Sequence, residues 1–167
     1  MNRNGILKRT PIGRALRYAG RHIRDRLVAL PDSGRCRRLA RGYELPTGHR
    51  RIYFYHVRKT AGTSLNTAFI GLSSNQPEID HERLATARSG RFVLDDTIYV
   101  AFNRHLIAQG HYFYAFSHLP CWHVCVPPGS FTITCLRDPV KRVISHYKML
   151  RTYEQEKPEH GALMGEG

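Results

Sequence analysis

The sequence predicts an α/β fold built on a parallel sheet, and three observations carry that prediction. Short β-branched and aromatic runs occupy 52–57, 112–116 and 131–136, where a chain of ordinary composition forms strands. Helical patterns separate these runs, so the strands are joined by crossovers rather than by hairpins. The first and last runs each pass through a short polar turn straight into a helix.

Residues 12–30 come first, with Leu16, Ile23, Leu27 and Leu30 at helical spacing and Arg14, Arg17, Arg21, Arg24 and Arg26 between them. This basic amphipathic helix packs its apolar stripe on the domain, or else lies on an anionic membrane surface or another polyanion. Pro31-Asp32-Ser33-Gly34 ends it, and RCRRLARGYELPTGHRR (35–51) reads as a basic linker. Two domains follow from this reading: 1–50, helix and linker, and 51–167, the folded unit.

Ile52–Val57 is the first strand, Lys59–Thr63 a turn, and Ser64–Leu72 a helix with Leu65, Ala68, Phe69 and Leu72 on one face. Ser73–Gln76 breaks the pattern and His81–Arg88 is weakly helical. Asp96–Ala108 is expected to contain another helix, headed by a capping Asp or Thr. Tyr112–Phe116 is the second strand. Pro127-Pro128-Gly129 makes a turn before the third, Phe131–Leu136. Asp138-Pro139 opens a helix to about Tyr153, proline being favoured at the first helical position. Three strands are few for a doubly wound sheet, so the fold is expected to be incomplete at its C-terminal side. No internal repeat or low-complexity tract appears.

The 167 residues are 41% apolar, enough for one modest core. The net charge of +13 is uneven. Residues 1–51 hold fourteen Lys/Arg against three Asp/Glu, a net +11, which leaves +2 for the rest. Basicity therefore belongs to the N-terminal segment, and no specific nucleic acid is expected as partner. No apolar run approaches the roughly 18 residues of a spanning helix, and no secretory leader is apparent. Four sparse cysteines then suit reduced thiols and a cytoplasmic protein, free or peripheral to a membrane through its basic helix.

Two segments carry the chemistry. HVRKTAGTSL (56–65) places Lys59, Thr60, Gly62, Thr63 and Ser64 between a strand and a helix start. There, backbone N–H groups and the positive helix end favour an anion. A solvated lysine at an ordinary turn gives the same pattern. TCLRDPVKRVISHY (134–147) repeats the geometry, with Arg137 at the strand end and Ser145 two helical turns on, able to converge on a second phosphate. An Arg–Asp pair with Asp138 as helix cap is the structural alternative.

Together the two segments resemble the carbohydrate sulfotransferases, the family of the heparan and chondroitin enzymes. The first resembles that family's 5′-phosphosulfate loop, H-I-P-K-T-[AG]-G-T-S-L. The second resembles its 3′-phosphate motif, R-D-P-x-x-R-x-x-S-x-Y. The likeness covers about residues 51–153. It implies a three-layer αβα, P-loop NTPase-like sulfotransferase fold and 3′-phosphoadenosine-5′-phosphosulfate as sulfonate donor, with no metal. It also implies in-line transfer to a hydroxyl of a carbohydrate or glycolipid. By resemblance, Arg58, Lys59, Thr60, Ala61, Gly62, Thr63 and Ser64 form the donor loop, and Arg137 and Ser145 hold the 3′-phosphate. Arg58 stands where the family often has Pro; it contacts the sulfonate or acceptor, or points to solvent. Lys59 is implied to stabilise charge on the bridging oxygen.

A general base is needed because a sugar hydroxyl is a poor nucleophile. His118 resembles the His of the family's G-H-[VF] segment, with Ser117 in place of Gly, and it directly follows the second strand. His123 and His111 come after it, and a purely structural His is the alternative. Competing functions remain at this stage. A nucleotide kinase lacks its Gly-Lys-Ser/Thr triplet here. A zinc module would need His118, Cys121, His123 and Cys125, all within eight residues, to act without a second segment. A non-catalytic polyanion or nucleotide binder, or a truncated pseudoenzyme, would use the same anion loop without transfer.

Overall fold

In the computed structural model, the described residues are 33–156, with isolated positions 19, 20, 23 and 27 before them. The basic helix expected over 12–30 lies mostly outside them. Strand β1 (Arg51–Tyr55), with Ile52, Tyr53 and Phe54 all buried, runs through the sheet interior. After it come α2 (Gly62–Ile70) and α3 (Pro77–Thr86), preceded by α1 (Ser33–Arg41). Strands β2 (Arg91–Leu94) and β3 (Thr97–Ala101) then form a hairpin. Helix α4 (Arg104–Gln109), β4 (Tyr114–Ser117), a single 3₁₀ turn (Cys121–His123), β5 (Ser130–Thr134) and α5 (Pro139–Glu156) complete the order.

The sheet order is β2-β3-β4-β1-β5, and every neighbouring pair is parallel except β2–β3. Period-two alternation divides the strands' side chains between two cores. Tyr53, Ile98, Val100 and Ala115 face α1 and α4, with Cys36, Leu106 and Ile107. Ile52, Phe54, Tyr99, Ala101, Tyr114 and Phe116 face α2 and α3, with Ile70 and Leu84. Helices thus cover both faces, as a parallel sheet requires, and the three-layer αβα architecture is the one expected.

Three expectations are corrected. The chain has five strands among the described residues, not three. Asp96–Ala108 does contain a helix, the short α4, but strand β3 precedes it, and the helix cap is Asn103 rather than an Asp or Thr, its side chain accepting from the N–H of His105 and Leu106. The hairpin turns at Asp95 and Asp96, both at positive φ (42° and 62°), a two-residue connection that only left-handed backbone allows. The stretch taken as linker contains α1, which buries Cys36 and Ala40 and lies against β3. No helix among the described residues is long and apolar enough to cross a membrane.

Because β3, β4, β1 and β5 all point the same way, their C-terminal ends share one edge of the sheet. That edge carries, in spatial order, Phe102 and Asn103, His118, the 56–61 loop, and Arg137.

Candidate active site

Beyond Tyr55 the chain folds back through a strained loop. Lys59 and Ala61 both sit at φ 65°, with Thr60 between them at negative φ. Each left-handed non-glycine residue costs about 1–2 kcal/mol. Successive N–H groups in such a backbone form a concave anion nest. Thr60 is buried, and its hydroxyl donates to the carbonyl of Val57 at 2.7 Å. Its hydroxyl proton therefore holds the loop together. Ala61 is the N-cap of α2 without a side-chain cap bond, and Leu65 N–H to Ala61 O, 3.1 Å, is the first bond along the helix. The N–H groups of Gly62, Thr63 and Ser64 precede it, at the positive end of the helix. Thr63 and Ser64 are exposed and Lys59 is half-buried.

Gly62 has a tighter reason to be glycine than backbone freedom. A Cβ there would overlap the His56 imidazole. That ring stacks on Phe54 (5.2 Å, 14°). Among the described residues, its buried Nδ1 has no hydrogen-bond partner. Burial, then His118, His81 and Arg58, push the His56 pKa down to about 4, so the ring is neutral near pH 7.

The second segment begins one strand over. Tyr55 of β1 pairs with Thr134 of β5, and the Thr134 hydroxyl donates to Tyr55 O at 3.1 Å. Lys59 and Arg137 follow these partners by four and three residues, so both motifs leave adjacent strand ends. Asp138 caps α5 by accepting from Lys141 N–H at 2.8 Å, with Pro139 in the first helical position. Arg142 Nε donates to the carbonyl of Arg58 at 3.2 Å, which ties the start of α5 to the Lys59 loop. Arg137 is exposed and Ser145 half-buried.

His118 stands on the other side of the loop, at the end of β4. Its Nδ1 lies 2.8 Å from the carbonyl of His56. A carbonyl only accepts, so Nδ1 carries the proton and Nε2 keeps a free lone pair. The ring is flanked by His56 (4.3 Å) and Phe102 (5.1 Å) while its outer side is open. Burial against these neighbours, with help from Arg58, lowers its pKa, and the bond to His56 opposes the shift. A neutral imidazole with a free Nε2 is what a general base requires.

Two clefts meet at this point. The larger, about 1070 Å³, lies between residues 56–58, residues 118–122 and the α5 face bearing Arg142, His146 and Tyr147. The smaller, about 650 Å³, is lined by Arg88, Gly90, Phe102 and Asn103. Arg58 and His118 border both. Lys59, Thr60, Ala61, Gly62, Thr63, Ser64, Arg137 and Ser145 line neither cleft. The clefts begin at the Arg58 side of the anion loop. His111 sits before β4, at the opposite sheet edge from the site, and His123 lies in the exposed 3₁₀ turn. Residues 118–125 do not converge as a metal centre, nor does any other group of three metal-ligating side chains among the described residues. The residue sequence reasoning missed is His56. It was legible only as the letter heading the motif.

The Sulfotransferase family model matches residues 46–165. No curated protein and no solved structure matches the chain. The matched span takes in both anion motifs, the strand ends that carry them and His118, and the chain belongs to the Sulfotransferase family.

Proposed function

We propose that this sulfotransferase moves a sulfonate from 3′-phosphoadenosine-5′-phosphosulfate to a hydroxyl of a carbohydrate acceptor, with His118 as general base. Sulfonate transfer in general follows from the family. What supports the finer reading is one arrangement: two anion-binding segments leave adjacent parallel strands, and beside them stands an imidazole whose free nitrogen is fixed by a main-chain bond.

The donor's chemistry suits the residues present. The left-handed nest at 59–61, the helix start at Gly62–Ser64 and the Lys59 ammonium make a site for a doubly charged phosphosulfate. Arg137 and Ser145 hold the 3′-phosphate in this reading. When bound, the donor supplies the sulfonate, and adenosine 3′,5′-bisphosphate leaves. His118 Nε2 accepts the proton of the acceptor hydroxyl, and Lys59 balances negative charge at the leaving oxygen. Arg58 borders both clefts beside His118, where an acceptor with negative charge would meet it. Calorimetric titration with adenosine 3′,5′-bisphosphate, followed by an acceptor screen with labelled donor, tests the proposal. Binding with transfer supports it. Binding without transfer to any carbohydrate favours a non-catalytic nucleotide binder, and no binding refutes the donor site.

A further inference from the structure

Below His118 lies a pair of buried hydroxyls that the donor motifs do not use. Ser117, the last residue of β4, is 1% exposed. Its Oγ is 2.7 Å from the Tyr53 hydroxyl and accepts from Leu119 N–H at 3.2 Å. Its carbonyl accepts from His56 N–H at 3.0 Å. The residues before and after His118 are therefore both tied down. Tyr53 lies fully buried in β1, an interior strand, edge-on to Tyr55 at 4.6 Å and 88°, so its hydroxyl is held in place.

We infer that Tyr53 and Ser117 are positioning residues for His118, their hydroxyl pair fixing the 117–119 turn so that Nδ1 reaches the His56 carbonyl and Nε2 faces the cleft. The inference rests on the reading of His118 as base. A glycine at 117, as in the family pattern this segment resembles, has neither a hydroxyl nor a restrained backbone. Serine supplies by hydrogen bonding what glycine leaves to the rest of the turn. The pair is also a closed account: a buried hydroxyl that loses its partner is left unsatisfied. Burial pushes the Tyr53 pKa up to about 12, against the opposing bond from Ser117, so the phenol stays neutral and able to donate or accept.

The test compares Tyr53→Phe, Ser117→Ala and the double variant in the full chain. Readouts are kcat, KM for the donor, and the His118 tautomer by long-range ¹⁵N–¹H correlation. Each single change is expected to lower kcat about tenfold with donor KM unchanged, since small misplacements of a catalytic group carry losses of this order. The double variant should be no slower than Ser117→Ala, because the one bond that Tyr53→Phe removes is already lost in Ser117→Ala. The tautomer should shift from purely Nδ1–H to a mixture. Unchanged kcat, multiplying losses, or an unmixed Nδ1–H signal in both single variants would overturn the inference. Tyr53→Phe leaves the ring volume filled and keeps the test available if Ser117→Ala folds poorly. A parent protein that transfers no sulfonate would defeat the reading of His118 as base, and the tautomer would still decide whether the hydroxyl pair sets the ring.

Discussion

Gly62→Ala tests the packing that joins the anion loop to the base. The new methyl would lie in the space of the His56 ring, so one of the two must move. Neither backbone is free to yield. Gly62 is in the first turn of α2, and His56 is held by its N–H to Ser117 O (3.0 Å) and by its carbonyl to His118 Nδ1 (2.8 Å). The ring must swing, losing its stack on Phe54 at 5.2 Å. Overpacking of this kind costs about 1–3 kcal/mol and the lost stack about 0.5–1.5. Replacing glycine returns about 0.4–1 kcal/mol through the unfolded chain. The net expectation is a loss of about 1–3 kcal/mol, read from urea denaturation midpoints at constant m-value. His56→Ala removes the obstacle, so adding Gly62→Ala to that background should be neutral or mildly stabilising. An equal loss in both backgrounds would refute the reasoning.

Four further outcomes are expected. Lys59→Gly should make the fold about 0.5–1 kcal/mol more stable by relieving the left-handed lysine, less glycine's entropy; donor transfer should nonetheless fall by at least about 10², and retained activity would remove the ammonium from the mechanism. Arg137→Ala should weaken adenosine 3′,5′-bisphosphate binding about 10–100-fold by calorimetry, the worth of a charge-assisted bond. The acid limb of kcat/KM should lie below pH 6.5, because His118 must be neutral to accept a proton and its pKa is lowered by burial and Arg58; Arg58→Ala should move that limb upward. Stability should fall as pH drops from 6.5 to 4, since unfolded His56 takes up a proton at 6.5 and folded His56 only at about 4. His56→Gln should abolish that part of the pH dependence, at most about 3 kcal/mol, in denaturation at the two pH values.

How much of this was legible follows from what each element depends on. Strands β1 and β4 show as apolar runs because both their faces are covered, and the exposed edge strand β5 shows because the Pro127-Pro128-Gly129 turn marks its start. α5 shows through Asp138-Pro139. The β2–β3 hairpin does not, because RFVLDDTIYVAF lacks an Asn-Gly or Asp-Gly turn and fits a helical period as well as a strand one. Only the register, Arg91 to Val100 through Leu94 to Thr97, reveals two strands. α1 hides among arginines, since just Cys36 and Ala40 are fully buried and Leu39 partly. In the site, the loop residues are readable as letters with a chemical role. That His56 fills the space beside Gly62 depends on how the loop folds back on itself, and that its carbonyl selects the His118 tautomer depends on strand ends about 60 residues apart; neither leaves a trace in the letters.

Arg58 shows how a single departure from the family pattern changes several contacts at once. A proline there would fix φ near −65° and contribute no side chain beyond its ring. Arginine sets a guanidinium at the border of both clefts, while its main-chain carbonyl accepts from Arg142 Nε at 3.2 Å, the bond between the two anion motifs. The same charge lowers the pKa of both His118 and His56. One residue therefore bears on where the motifs meet, what approaches the acceptor side and at which pH the base is free. The effects separate experimentally: both variants keep the carbonyl, but Arg58→Pro removes the charge and restrains φ, whereas Arg58→Gln removes only the charge. A pH limb that moves equally in both variants assigns the pKa effect to charge; a nucleotide affinity that falls only in Arg58→Pro assigns the joining of the motifs to the backbone.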